Sequence, residues 1–221
     1  MRIISWEEYT APDSLLDTPL AVTVGVFDGV HRGHQSLIRQ VCDSPYLPTV
    51  ITFRQNPQQV LKPTQNRHGA AVWMNNAERC SPNGSHRDET GGFALANPAG
   101  DTFGGDIMTL EQKLRVLEVL GVQLTVLIDF SAEFSKINGR AFIDLLLNRP
   151  VKLIALGRNF RCGYRLDTGA EQIRNFAEAR GVDVYVAPPV MDEGQPVSSS
   201  RIRQALAAGR QAEAERLLNR S

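Results

Sequence analysis

The run Leu20–Phe27, LAVTVGVF, is β-branched and apolar, and it passes through Asp28-Gly29 directly into a segment with helical spacing. That junction limits the folds open to the chain. An uninterrupted apolar strand buries both of its faces, which occurs in sheets covered by helices on either side. In the segment that follows, His34, Leu37, Ile38 and Val41 recur on one helical face until Cys42-Asp43-Ser44-Pro45 stops it. Further strands are read at Thr49–Phe53, Gln123–Phe130, Val151–Gly157 and Val182–Ala187. Helical patterns separate them. Leu110, Leu114, Leu117 and Leu120 precede Gly121; Ala141, Phe142, Leu145 and Leu146 precede Pro150; Ile173, Phe176 and Ala177 precede Gly181. Strand and helix in alternation predict an α/β class with a mostly parallel, doubly wound sheet. The terminal string SSSRIRQALAAGRQAEAERLLNRS adds two short helices hinged at Gly209, the first with a serine cap.

At 221 residues the chain has the size of a single domain, 1–221. Its 24 Lys+Arg balance 24 Asp+Glu, so no overall field draws in a polyanion, and nucleic acid is not an expected partner. The three cysteines, Cys42, Cys80 and Cys162, form no CxxC and no even framework, which favours a reducing cytoplasm. Neither a signal h-region nor an apolar run of about 18 residues is present, so the chain reads as neither exported nor membrane-spanning. Residues 62–107 break the rhythm with seven of the 18 glycines and a single leucine, Leu95. They read as a long inserted loop, disordered or a lid, in which Ala71–Met74 could dock. His68, Cys80 and His86 within it match no ligand spacing, and no metal site is assigned.

Three strings carry the chemistry. In GVFDGVHRGH, Gly25–His34, a glycine-bearing strand end delivers H-x-G-H into the first turn of a helix. His31 and His34 are three residues apart and face one point, where first-turn N–H groups and the helix dipole attract phosphate and Gly33 lets a ligand approach the backbone. Composition alone yields such a string about 0.006 times in a chain of this make-up. SSSRIR, Ser198–Arg203, sets hydroxyls and guanidiniums at a second helix start, where they suit polyphosphate oxygens. GRNFRCGYR, Gly157–Arg165, is a basic, aromatic loop past a strand end that suits a planar anion. Arginine outnumbers lysine 20 to 4 along the chain, so that cluster carries less weight than the first. No P-loop, GxSxG elbow or HExxH string occurs, which leaves attack at phosphorus as the best-fitting reaction.

In order, GVFDGVHRGH, TFRQNPQQVL, LEQKLRVLEVLGV, IDFSAEFSKINGRAFI, LGRNFRCG and SSSRIRQALAAGRQAEAERLL resemble the FMN adenylyltransferase (FAD synthetase) module of bacterial bifunctional riboflavin kinase/FAD synthetases. The resemblance spans nearly everything outside 62–107. It implies a Rossmann-like nucleotidyltransferase fold, with Mg²⁺ accompanying ATP, FMN as substrate, and FAD and pyrophosphate as products. By motif, Gly25, Val26, Phe27, Asp28, Gly33, Asn159, Ser198 and Ser200 would line the ATP site, and His31, His34, Ser199 and Arg203 would carry the catalysis. Phe53, Asn56, Pro57, Phe160, Arg161, Cys162 and Tyr164 would lie near FMN.

Three departures from the family pattern stand out. After LLNRS no riboflavin kinase module follows, so FMN is expected from elsewhere. Cys162 stands where relatives place an aromatic residue, and Gln55-Asn56-Pro57 stands for their PHP; Tyr164, Phe160 or Trp73 could supply the missing stacking face. The third is the insertion itself. Two other readings stay open at this level: an HxGH nucleotidyltransferase acting on another phosphorylated small molecule, and a non-catalytic nucleotide or flavin binder. Oligomeric state is not legible.

Overall fold

In the computed structural model, the described residues are 1–14, 16–57, 74–76 and 106–219. Five strands predicted from the apolar runs are joined by one at the N-terminus into a six-stranded sheet. The strands are β1 (Arg2–Ser5), β2 (Leu20–Val24), β3 (Leu47–Phe53), β5 (Leu124–Ile128), β6 (Val151–Gly157) and β9 (Asp183–Ala187), in the order β1-β5-β3-β2-β6-β9. Every pairing is parallel. β2 and β5 are buried throughout their length, as strands covered on both faces must be. β9 alternates exposed and half-buried positions, as an edge strand does.

Alternation along β2 sorts the two cores. Leu20, Val22 and Val24 join a cluster with Trp6, Phe53, Phe142 and Ile173, whereas Ala21 packs with Leu37, Val41 and Ala155. Helices α1 (Trp6–Thr10), α4 (Gly139–Leu146) and α5 (Ala170–Glu178) thus cover one face. Helices α2 (Arg32–Cys42) and α3 (Leu110–Val119) cover the other, through Ile38 and Leu117 against Val50. On the first face Trp6 stacks on Tyr9 and Phe142 at 5.4 and 5.2 Å, and the Tyr9 hydroxyl donates to Leu146 O at 2.9 Å. Each such fully buried large side chain contributes about 1.5–3 kcal/mol.

Helix starts follow local side-chain chemistry. Thr109 and Gln112 form a reciprocal capping box at α3, and Asn138 caps α4 by accepting from Ala141 N at 2.8 Å. At the C-terminus, α6 (Ser199–Ala207) and α7 (Gln211–Leu218) flank Gly209, as the serine cap and the glycine predict.

Smaller elements decorate the sheet. Strands β4 (Met74–Asn76), β7 (Phe160–Cys162) and β8 (Thr168–Gly169) pair antiparallel, and β10 (Met191–Asp192) and β11 (Gln195–Pro196) make a hairpin. Of the 62–107 segment, only β4 and residues 106–107 fall among the described residues; the loop-or-lid expectation, and Trp73, His68, Cys80 and His86, lie outside them.

The strand predicted over Leu20–Phe27 stops at Val24. Phe27 and Val30 adopt left-handed backbone at φ 52° and 44°, which cannot continue a β ladder and which bulky side chains rarely adopt. Strain of this kind concentrates at functional sites, and here it brackets Asp28-Gly29.

Candidate active site

Strand order reverses at β2, whose chain neighbours lie to one side while β6 lies to the other. Open α/β sheets bind ligands outside the carboxyl ends of strands at such a point. A cleft of about 110 Å³ opens there, walled by His31, His34, Asn159, Phe160, Val190 and Ser198 among others.

His31 is the N-cap of α2, and its Nδ1 accepts from His34 N at 3.3 Å. Holding the cap places the His31 ring on the His34 ring, with centroids 3.7 Å apart and planes 16° from parallel. Phe27, in its left-handed conformation, sets its ring edge-on to His34 at 5.1 Å. Gly33 also keeps room for the His31 ring: a Cβ there would stand 3.2 Å from it, so the ring would have to shift by a few tenths of an ångström. Burial pushes the His31 imidazole down to about 4, and burial followed by the neighbouring His31 holds His34 well below its usual value. Both rings are therefore neutral at pH 7. With Nδ1 used as an acceptor, His31 carries its proton on Nε2, which remains the donor toward the cleft it lines.

The second motif converges on the first. Ser198 caps α6 by accepting from Arg201 N at 3.2 Å and lines the cleft, so the N-termini of α2 and α6 meet at one place. Ser199 Oγ donates to Asp28 O at 2.9 Å, and Arg203 forms an ion pair with the Asp28 carboxylate. Ile107 N also donates to Asp28 Oδ1, at 2.7 Å. Burial pushes the Asp28 carboxyl up, and Arg203 opposes that shift. Ser200 sits half-buried on the first turn of α6, and Gly25 N continues the ladder to Ile51 O at 3.1 Å.

The residues expected near a flavin divide into two groups. Asn56 borders a smaller cavity, shared with Val26 of the expected ATP set and with Asp28, Asp106 and Lys113, and its Nδ2 donates to Asp106 Oδ1 at 2.9 Å; Phe53 and Pro57 are buried. Phe160 borders the main cleft, but Cys162 is fully buried among the core residues, where burial pushes its thiol up to about 12. Arg161 turns back to Leu166 O at 2.9 and 2.7 Å, and Tyr164 is exposed beneath the Arg165 guanidinium.

Sequence reading passed over Lys113. Its ammonium is buried and donates to Val26 O at 3.2 Å, Thr52 Oγ1 at 3.2 Å and Phe53 O at 2.9 Å, which ties the ends of β2 and β3 together. Burial lowers it to about 8, against the opposing pull of Asp106 and Asp28. In LEQKLRVL it looks like one more polar position on an amphipathic helix.

The family model described as FAD synthetase matches residues 14–81 and 96–201. The chain belongs to the FAD synthetase family. It is 24% identical over 223 residues to the bifunctional riboflavin kinase/FMN adenylyltransferase of Listeria monocytogenes, covering 99% of this chain and 59% of the relative. To the protein of the same name from Escherichia coli K12 it is 27% identical over 203 residues, covering 89% and 53%. The chain thus spans little more than half the length of these FAD synthetase relatives. Among solved structures, it superposes with a TM-score of 0.70 and 25% identity on a Streptococcus pneumoniae protein described as a macrolide-efflux protein, over 99% of this chain and 60% of that one. Among the described residues no helix is long and apolar enough to cross a membrane. Pantoate-β-alanine ligase from Francisella tularensis shares the fold at a TM-score of 0.51 and 15% identity, over 99% and 85% of the two chains. The Rossmann-like expectation is met.

Proposed function

We propose that this chain is an FMN adenylyltransferase, transferring AMP from ATP to FMN to give FAD and pyrophosphate. The observation that carries the reading is the stacked, neutral His31–His34 pair at the start of α2, opening into a cleft at the switch point of a FAD synthetase fold.

ATP lies along the main cleft, its base and ribose toward Gly157, Asn159 and Pro188 and its phosphates at the convergent starts of α2 and α6. The FMN phosphate, with a second pKa of about 6, is ionised at neutral pH and attacks without a general base. Its oxygen forms a bond to the α-phosphorus of ATP in line with the bond to the bridging oxygen. That bond breaks, and pyrophosphate departs with the electron pair. His31 Nε2–H, the first-turn N–H groups of α2 and the Arg203 guanidinium stabilise the charge spread over the α-phosphate and the leaving group. Neutral imidazoles suit this task, because they donate hydrogen bonds without needing to titrate during the step.

Mg²⁺ supplies charge neutralisation on the phosphates when bound. The donor set fits an ion that arrives on the nucleotide and takes most of its ligands from phosphate and water, since the Asp28 carboxylate is already engaged by Arg203 and Ile107 N–H.

FMN enters the main cleft on the side of Phe160, whereas Asn56 borders the separate cavity beside Asp28. The buried position of Cys162 removes it from any stacking role, so its difference from the relatives does not argue for another acceptor. Cys42 and Cys162 are free thiols, and we assign the reaction to a reducing cytoplasm. Incubation with ATP, Mg²⁺ and FMN, with riboflavin as control, tests the reading: FAD and pyrophosphate are expected in equal amounts from FMN and neither from riboflavin. ATP binding with no FAD formed would overturn it.

A further inference from the structure

The outer wall of the cleft is a short hairpin, and one carboxylate ties it down. Pro188, Pro189 and Val190 before β10, and Pro196, Val197 and Ser198 around the end of β11, all line the cleft. Between them Met191–Pro196 projects outward, turning at Glu193-Gly194, both with positive φ. Its two strands pair with each other, and Val197 N donates to Val190 O across its base at 2.8 Å. Asp192 points back instead, its side chain 7% exposed, and takes three guanidiniums.

Those arginines come from three places that matter. Arg32, between the two motif histidines, donates from Nη1 to Asp192 Oδ1 at 3.0 Å. Arg201, inside SSSRIR, donates from Nη2 to Oδ2 at 3.0 Å and from Nη1 to the Asp192 carbonyl at 2.9 Å. Arg216, on α7, reaches Oδ1 at 3.3 Å and Oδ2 at 3.1 Å. Glu213 and Glu193 take further donors from Arg201 and Arg216 at 3.0 Å, so three positive groups can crowd one carboxylate. The Arg216 and Arg201 guanidiniums hold the Asp192 carboxyl below its usual range.

We propose that Asp192 is a positioning residue for nucleotide binding: its carboxylate locks the cleft wall to the HRGH turn through Arg32 and to the SSSRIR helix through Arg201, and so sets the affinity for ATP. The inference rests on reading the main cleft as the ATP site. An asparagine keeps the size but loses the charge and one acceptor, leaving three mutually repelling guanidiniums and a wall without its charged anchor to the two motifs.

The test is a double-mutant cycle with D192N, R32Q and the pair, read by calorimetric ATP binding without FMN and by steady-state kinetics with it. Each single variant is expected to raise both Kd and KM for ATP about tenfold, with kcat within about threefold and KM for FMN within about twofold. The double variant is expected to be no worse than D192N alone, because D192N already breaks the link that R32Q removes. Unchanged ATP affinity with a lowered melting temperature would assign Asp192 a merely structural role and overturn the proposal, as would multiplicative losses in the pair. Should D192N fail to fold, R32Q carries the test, since the Arg32 side chain is 36% exposed. Wild-type protein that binds ATP but makes no FAD would defeat the FMN reading alone, and the Asp192 proposal would still be decided by Kd; wild-type protein that binds no ATP would defeat both.

Discussion

Arg203 closes an ion pair on Asp28 across 175 residues of sequence, so the cation of SSSRIR is held by the acid of GVFDGVHRGH. Ser199 repeats the link through the Asp28 carbonyl. The two motifs are thereby one structure, and on the proposed reading an entering phosphate would compete with Asp28 for the same guanidinium.

Replacing Arg203 by alanine should therefore do two things. Loss of a donor to the transferring phosphates should lower kcat/KM by about 10²-fold. Asp28, left buried without its cation, should destabilise the fold by about 2 kcal/mol at pH 7. Burial raises the folded-state Asp28 carboxyl and Arg203 opposes this, so the variant's carboxyl rises further. A folded pKa above the unfolded one gives stability that is present at low pH and lost as pH rises. The gap between wild type and variant should accordingly narrow as pH falls toward 4, measured by denaturant titration at each pH.

His31→Ala should reduce kcat by about 10²- to 10³-fold while the far-ultraviolet circular dichroism spectrum stays that of the wild type. It should also change the acid limb of stability. The folded His31 lies at about 4 against 6.5 unfolded, so between those values the unfolded chain binds more protons and stability falls with falling pH. That one ring accounts for a loss on the order of 3 kcal/mol between pH 6.5 and 4. His34 contributes in the same sense. The alanine variant should show a visibly shallower acid limb, and an unchanged one would contradict the burial argument.

Lys113→Met leaves Val26 O, Thr52 and Phe53 O without their shared donor and removes a cation near Asp28 and Asp106. A loss of about 3 kcal/mol at pH 7 is expected in chemical denaturation.

Cys162→Ala separates a core position from a flavin contact. A fall of about 1–2 kcal/mol in stability is expected from the cavity, with KM for FMN within about twofold of wild type. In a C42S/C80S background the Cys162 thiol, held up at about 12, should react with a disulfide reagent only as fast as the protein unfolds.

Sequence pattern reached the frame of this protein through its apolar runs. VKLIALG coincides with β6, and the serine cap read at the first C-terminal helix is Ser198 on α6. It missed β1, whose four residues are half solvated and run straight into α1, and β7, β8, β10 and β11, which are too short to show a period. His31, His34, Asn159, Phe160 and Ser198 were legible as site candidates because a motif fixes their spacing, and the fold gathers them at one cleft. Lys113 and Asp192 were not, because a polar residue on a helix face or in the turn MDEGQP acquires its meaning only from what tertiary packing sets against it. Cys162 shows the converse: it stands in the same motif as Asn159 and Phe160, which line the cleft, and on the same strand face as Phe160, yet it ends fully buried in the core, a difference of two positions that spacing alone does not reveal.

Transfer of label tests the central claim most directly. With ATP labelled at the α-phosphate, the account predicts that label enters FAD in proportion to FMN consumed and that His31→Ala suppresses this, while label at the γ-phosphate appears only in pyrophosphate. An α-label that stays in ATP despite demonstrable nucleotide binding, or a transfer that survives His31→Ala at the wild-type rate, would contradict it.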